Sequence, residues 1–327
     1  MIHTEGNHQS NDKLSLIKKS IMVTSTAVLL GIGTIGSSIP ATAAPRIDGF
    51  NEKAAIEQGY LYKPNLSVKH DGITLTLTDV RYDGSTLSFA LRPEGANLDF
   101  PFTSDPEKEK IKGYIKPDCE VLADGKPITF SNTETNGANK SLQYFAKGVK
   151  LPDEFELSIK AEVTKVKEAF DFKVPVKLKS KPLVVKPDAS KTSGKFTYTV
   201  KQLVLSPFST RLILDSQGPV PASAEQSGKY HASPVYYELL DNNGNEIAPE
   251  MIGFFNKKPE TKYHIDKFYY PMDDKATSIT IKPYTYTINS KNWAILEEKG
   301  SNGKMTNKKT YLKDLELTIP IKTITQK

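Results

Sequence analysis

Cysteine, tryptophan and long apolar runs are all scarce in this chain. Of its 327 residues one is cysteine, Cys119, and one is tryptophan, Trp293. A single thiol closes no internal disulfide and builds no thiolate metal cage; its strand-like surroundings, Glu120-Val121-Leu122, mark it as partly buried and inert. There are five histidines, two of them (His3 and His8) in the N-terminal leader. No pair has the helical i, i+4 spacing with which a zinc protease aims two imidazoles at one ion, so His70, His231 and His264 read as surface or half-buried side chains. A Gly-x-Ser-x-Gly nucleophile elbow and a phosphate-cradling glycine loop are both missing. Basic tracts are missing too. The formal charge of +6 is spread among acids, which excludes a nucleic-acid footprint. That mild excess serves either weak attraction to an anionic surface or simple solubility.

What is present is a repeated β pattern. Phe170-Asp171-Phe172-Lys173-Val174-Pro175-Val176 reappears as Leu315-Glu316-Leu317-Thr318-Ile319-Pro320-Ile321. Upstream of each copy, further strand pairs recur in one order. Ile73, Leu75 and Leu77 alternate with threonines, turn at Asp83-Gly84 and return as Leu87 to Leu91. Phe196 to Val200, Ser206-Pro207 and Leu212 to Leu214 repeat that plan. Val121 to Ile128 matches Glu238 to Ile247, and Phe155 to Ile159 matches Ser278 to Ile281. Such short alternating strands with regular turns predict two tandem immunoglobulin-like β-sandwiches, an all-β fold, over 45–180 and 195–327. Pro175 and Pro320 cannot donate to a ladder, so the closing strands belong at an edge or carry a bulge. Residues 181–194, with Lys181-Pro182 and Lys186-Pro187-Asp188, read as a linker in which Leu183-Val184-Val185 still has strand character. A short helix is expected from Gly49 to Tyr60, capped by Asn51 and stopped by Gly59.

The first 44 residues read as a targeting segment. Residues 1–19 form a short leader carrying Lys13, Lys18 and Lys19, and residues 20–44 are uncharged. Two readings fit. Val28 to Ile35 suits the apolar region of a signal peptide, with Ala41-Thr42-Ala43 as its small-x-small cleavage site. Alternatively Ile21 to Ile39 is nearly long enough to span a hydrocarbon core of roughly 30 Å, with the lysines kept in the cytoplasm. Both readings place the rest of the chain outside the cytoplasm, as a single-pass protein or as a product secreted after cleavage near Ala43.

Candidate chemistry is sparse. Asp241-Asn242-Asn243-Gly244-Asn245-Glu246 is rich in hard oxygen ligands, but it lacks the glycine position, the final glutamate and the helices of an EF-hand. Carboxylates such as Asp118 and Glu120, or Asp273 and Asp274, would suit paired acid/base work, but such acids are ordinary on a β surface. Tyrosines cluster at 230, 236 and 237, at 263, 269 and 270, and at 284 and 286. Such rings stack on sugars or peptides, or else form the cross-strand pairs that stabilise sheets. Two polar stretches of the second copy, Gln217 to Ser233 and Asn289 to Asn307, read as long loops of the kind that carry binding function. Trp293 reads as the packing anchor of the second one. No catalytic, metal or cofactor residues are assigned.

The order of features from Lys18-Lys19 through Gly49-Phe50-Asn51-Glu52 and Asn65 to Gly84 resembles a bacterial family, domain of unknown function 4179, together with its companion β domain. The specific resemblance covers about Ser20 to Lys179. It implies an extracytoplasmic immunoglobulin-like module, often carried by single-pass, anti-sigma-factor-like membrane proteins, and it brings no catalytic residues. A leader of residues 1–19 is too short for a sigma-binding domain. The expectation is therefore a non-enzymatic envelope protein that senses or binds an envelope protein or wall polymer, reaches the membrane through its N-terminal helix if uncleaved, and binds no nucleic acid. The runner-up is a secreted hydrolase or carbohydrate-binding accessory, which requires an exposed aromatic row or paired carboxylates in one cleft.

Overall fold

The computed structural model describes residues 52–95, 106–130, 132–136, 141–250, 258–300 and 303–321. The leader, the 20–44 segment and Asn51 lie outside the described residues. Among those residues, no helix is long and apolar enough to cross a membrane.

The chain enters through one helical turn and a half, α1 (Glu52–Glu57), which buries Ala55. It ends where expected, with Gly59 N donating to Ile56 O and Tyr60 N to Ala55 O. Ten strands follow: β1 (Leu61–Tyr62), β2 (Leu66–His70), β3 (Ile73–Tyr82), β4 (Thr86–Glu94), β5 (Glu120–Ala123), β6 (Lys126–Pro127), β7 (Asn132–Asn136), β8 (Ser141–Lys147), β9 (Glu154–Ala161) and β10 (Phe170–Lys177). One sheet runs β1-β3-β4-β8-β7, with β2 also paired to β3, and the other runs β10-β9-β5-β6. The period-two pattern explains the layering. Ile73, Leu75 and Leu77 point inward from β3, and Phe170, Phe172, Val174 and Val176 point inward from β10, all in one buried cluster. Each such side chain contributes about 1.5–3 kcal/mol on burial, so the alternation itself decides which face of each sheet meets the other.

The second half holds β11 (Leu183–Val185), β12 (Ala189–Ser193), β13 (Phe196–Leu205), β14 (Thr210–Gln217), β15 (Tyr230–Ala232), β16 (Tyr236–Asp241), β17 (Glu246–Ile247), β18 (Lys262–Tyr269), β19 (Ser278–Asn289), β20 (Glu297–Lys299), β21 (Met305–Asn307), β22 (Lys309–Tyr311) and β23 (Leu317–Pro320). One sheet runs β11-β13-β14-β18 with β12 on β13; the other is built on β19, flanked by β15, β16, β22 and β23, with β17 on β16. A separate core lies between them, including Phe196, Tyr198, Leu212, Leu239, Ile281 and Ile319.

The two halves share topology and register. Val174 faces Leu157 and Pro175 faces Glu156 in the first, while Ile319 faces Ile279 and Pro320 faces Ser278 in the second. The duplicated segment therefore sits in equivalent places, and in both halves it forms a sheet edge, as its proline requires. The β3–β4 ladder slips between Leu77 and Asp79, and the β13–β14 ladder slips at the matching place, between Val200 and Gln202. Gly95 and Gly218 end equivalent strands at φ +73° and +101°, where any side chain would run into the carbonyl of a preceding hairpin, Gly72 and Lys195 respectively.

Three expectations need correction. Residues 181–194 are not a plain linker, because β11 and β12 both pair with β13 and extend the second sandwich. The expected loops of the second half carry strands of their own, β15, β20 and β21, and β15, like β22 just beyond them, bonds to the far half of β19. Trp293 is no buried anchor. It is 36% exposed at φ +61°, edge-on to His231 at 5.3 Å, and it is Ile295 that packs on the buried Tyr284, Tyr286 and Ile288.

Candidate functional site

A shallow groove of about 450 Å³ runs across three neighbouring strands on the outer face of the second sandwich. Thr197, Thr199 and Lys201 come from β13, Asp215, Ser216 and Gln217 from β14, and Lys262, Tyr263 and His264 from β18. Alternation sends the apolar partners Tyr198 and Val200 inward and leaves Thr197, Thr199, Asp215, Gln217, Lys262 and His264 outside, whereas Tyr263 and the buried Ser216 stand in register with Tyr198. Lys201 is the extra residue of the β13 bulge, an irregularity that re-aims one side chain. The floor is tied down by hydroxyl pairs, Ser190 with Thr199 at 2.8 Å and Thr192 with Thr197 at 2.9 Å. His264 Nδ1 meets Asp215 Oδ1 at 2.7 Å, with both side chains more than half exposed, so water screens the pair. Hydroxyls, a carboxamide, two ammonium groups and one carboxylate make a hydrogen-bonding surface suited to an extended polar ligand.

Most of the clustered tyrosines fall into two environments. Tyr237 and Tyr269 are core residues, with Tyr269 OH donating to Tyr237 O at 2.7 Å. Tyr236, Tyr284, Tyr286 and Tyr311 come together, with Tyr284 5.7 Å from Tyr236, 5.3 Å from Tyr286 and 5.8 Å from Tyr311. Glu238 accepts from Lys309 Nζ at 2.6 Å and from Tyr311 OH at 3.0 Å, and the Lys309 ammonium sits 4.8 Å over the Tyr284 ring. Burial works against the Lys309 charge, but the Glu238 pair outweighs it and holds the pKa above the usual lysine value. Tyr284 and Tyr286 are only 4% and 3% exposed, so this assembly is cross-strand packing and not a displayed stacking row.

The remaining sequence candidates stay apart. The Asp241 carboxylate turns onto its own loop, accepting from Asn243 N, Asn245 N and Asn245 Nδ2. Asp273 accepts from Lys275 N. Among the described residues no group of three His, Cys, Asp or Glu side chains is placed to hold a metal ion. His70 packs edge-on to Phe170 at 5.0 Å. Cys119 is half-buried against the first core, and burial pushes its thiol up to about 11, which keeps it protonated at neutral pH.

Sequence reasoning missed the joint between the sandwiches. The two equivalent turns meet there. Asp83, 1% exposed, accepts at Oδ1 from Ser85 N (3.0 Å), Ser85 Oγ (3.1 Å) and Thr86 N (2.7 Å). Its Oδ2 accepts from Ser206 Oγ at 2.7 Å and Ser209 Oγ at 2.8 Å, both in the second sandwich. Arg81 lies 5.3 Å over Phe208, and Lys147 lies 5.9 Å over Phe268 and pairs with Glu250. The only sequence signal was a turn aspartate facing, one repeat later, a turn rich in serine.

Fold and surfaces thus define an all-β protein of two stacked sandwiches with a polar face. Residues 183–322 match a family of unknown function (DUF5643). That match falls on the second sandwich, beginning at β11, and does not reach residues 20–179, where family 4179 is the expectation. A solved structure described as the conserved domain protein from Bacillus anthracis is 17% identical, with TM-score 0.49, covering 81% of this chain and 93% of that one. No curated protein matches the sequence.

Proposed function

We propose that this chain is a non-catalytic, extracytoplasmic interaction module of the cell envelope. In this reading the first sandwich is a 4179-like domain, and the N-terminal segment either anchors the chain or is removed near Ala43. The observation that carries it is the polar groove between Thr197 and His264, set on a second sandwich that hydrogen-bonds to the first through Asp83. A shallow surface of hydrogen-bonding side chains suits an extended partner, a wall polymer or a protein segment. The carbohydrate-accessory alternative is not favoured, since it needs exposed rings and the central tyrosines Tyr284 and Tyr286 are buried.

The test is retention of the purified chain on isolated cell wall and on envelope protein fractions, with Thr199→Ala/Gln217→Ala as the groove variant. Losing two hydrogen bonds of about 1 kcal/mol each lowers affinity roughly tenfold or more. Equal retention of variant and parent, or no retention of either, defeats the reading. N-terminal sequencing of the protein recovered from membranes and from medium decides between anchoring and release.

A further inference from the structure

The register match between the halves exposes one anomalous position. In the first sandwich Tyr144 on β8 is 1% exposed, stacked on Phe89 at 4.7 Å and edge-on to Phe130 at 6.4 Å. Leu91 faces Leu142 in that half, and Leu214 faces Ile265 in the other. Two residues further along each strand, the counterpart of Tyr144 is Lys267. An ammonium group has replaced a ring that fills a core.

Lys267 is half-buried, with its Nζ 5.6 Å from the Tyr236 ring centre and 6.0 Å from that of Tyr269. Among the described residues no carboxylate lies within ion-pair distance of it, whereas Lys309 on the same tyrosine assembly is paired to Glu238. Tyrosine faces offset part of the dehydration of an ammonium group but supply no counter-charge. Burial accordingly holds the Lys267 pKa below the usual lysine value. Burial, then the neighbouring phenols of Tyr286 and Tyr263, push the Tyr236 hydroxyl above its own usual range. Tyr263 also lines the groove, which brings this cluster beside it. Positions where a chain departs from the rules of stable packing are enriched in binding sites.

We propose that Lys267 and Tyr236 form an anion-binding site, in which a carboxylate or phosphate group of a ligand docks on the Lys267 ammonium while the rest of the ligand lies against the Tyr236 ring. The site stands independently of what the groove binds. Its test titrates the intact chain with inorganic phosphate and, separately, with D-glucuronate at constant ionic strength, following the assigned ring signals of Tyr236 and Tyr269 by NMR. The parent chain and Lys267→Arg give a saturable shift with at least one of the two probes. Lys267→Met, which restores the apolar character the first sandwich has at this position and keeps the fold, weakens it at least tenfold. Saturation by phosphate alone marks a phosphate ligand, and by glucuronate alone a carboxylate ligand. No saturable shift with either probe, or an equal shift in Lys267→Met, overturns the proposal.

Discussion

Replacing Asp83 by alanine tests whether the two sandwiches are held by a buried carboxylate. That side chain accepts five hydrogen bonds, two of them from Ser206 and Ser209 across the joint. Hydrogen bonds to a charged acceptor contribute about 1.5–3 kcal/mol each, and removing the acceptor also strands buried donors. The bonds share one carboxylate and do not add independently, so Asp83→Ala should lose roughly 3–5 kcal/mol. Ser209→Ala removes a single cross-joint donor and should lose about 1–2 kcal/mol. Urea unfolding followed by far-ultraviolet circular dichroism measures both. Spin labels at the exposed positions Lys173 and Thr192 report the geometry, and their narrow distance distribution should broaden in Asp83→Ala. A loss below about 1 kcal/mol with an unchanged distribution would refute the joint as the orienting element.

Two further outcomes follow from the same geometry. A methyl group on Gly218 would lie 1.9 Å from Lys195 O at φ +101°, so Gly218→Ala should cost roughly 3 kcal/mol in a thermal melt; a loss under about 1 kcal/mol would show that the hairpin shifts freely. Arg211 bonds Asp266 through Nε at 2.6 Å and Nη2 at 2.5 Å, which holds the Asp266 carboxyl below its usual pKa. A depressed folded-state pKa gives stability that is present above the unfolded value of about 3.9 and is lost as pH falls through the folded one. Arg211→Met should therefore flatten the acid limb of urea midpoints taken between about pH 5 and 2, and an unchanged limb contradicts the pairing.

Much of the fold was legible because alternation and proline placement carry their own physics. Pro175 and Pro320 cannot join a ladder on both sides, and both lie in edge strands. Repeated apolar spacing placed Leu157 and Ile279, and Val174 and Ile319, at matching core positions. Leu183-Val184-Val185 showed its strand character, whereas β12 was hidden because it is short and polar. β12 holds its place through hydroxyl pairs with Thr197 and Thr199, a signal indistinguishable from an exposed linker. The groove was half legible: Thr197, Thr199 and Lys201 announce a polar strand face, but their neighbours on β14 and β18 are set by pairing across long sequence separations. Lys267 carried no signal of its own. Its anomaly appears only when β18 is laid beside β8, in register.

The strand β19 has one more implication. It is bonded on both flanks, its first half inside the sandwich ladder and its second half between β15 and β22. The strands β15 and β22 therefore hang from the same backbone that braces the main body. One unbroken strand of twelve residues thus joins them to the ladder of the sandwich.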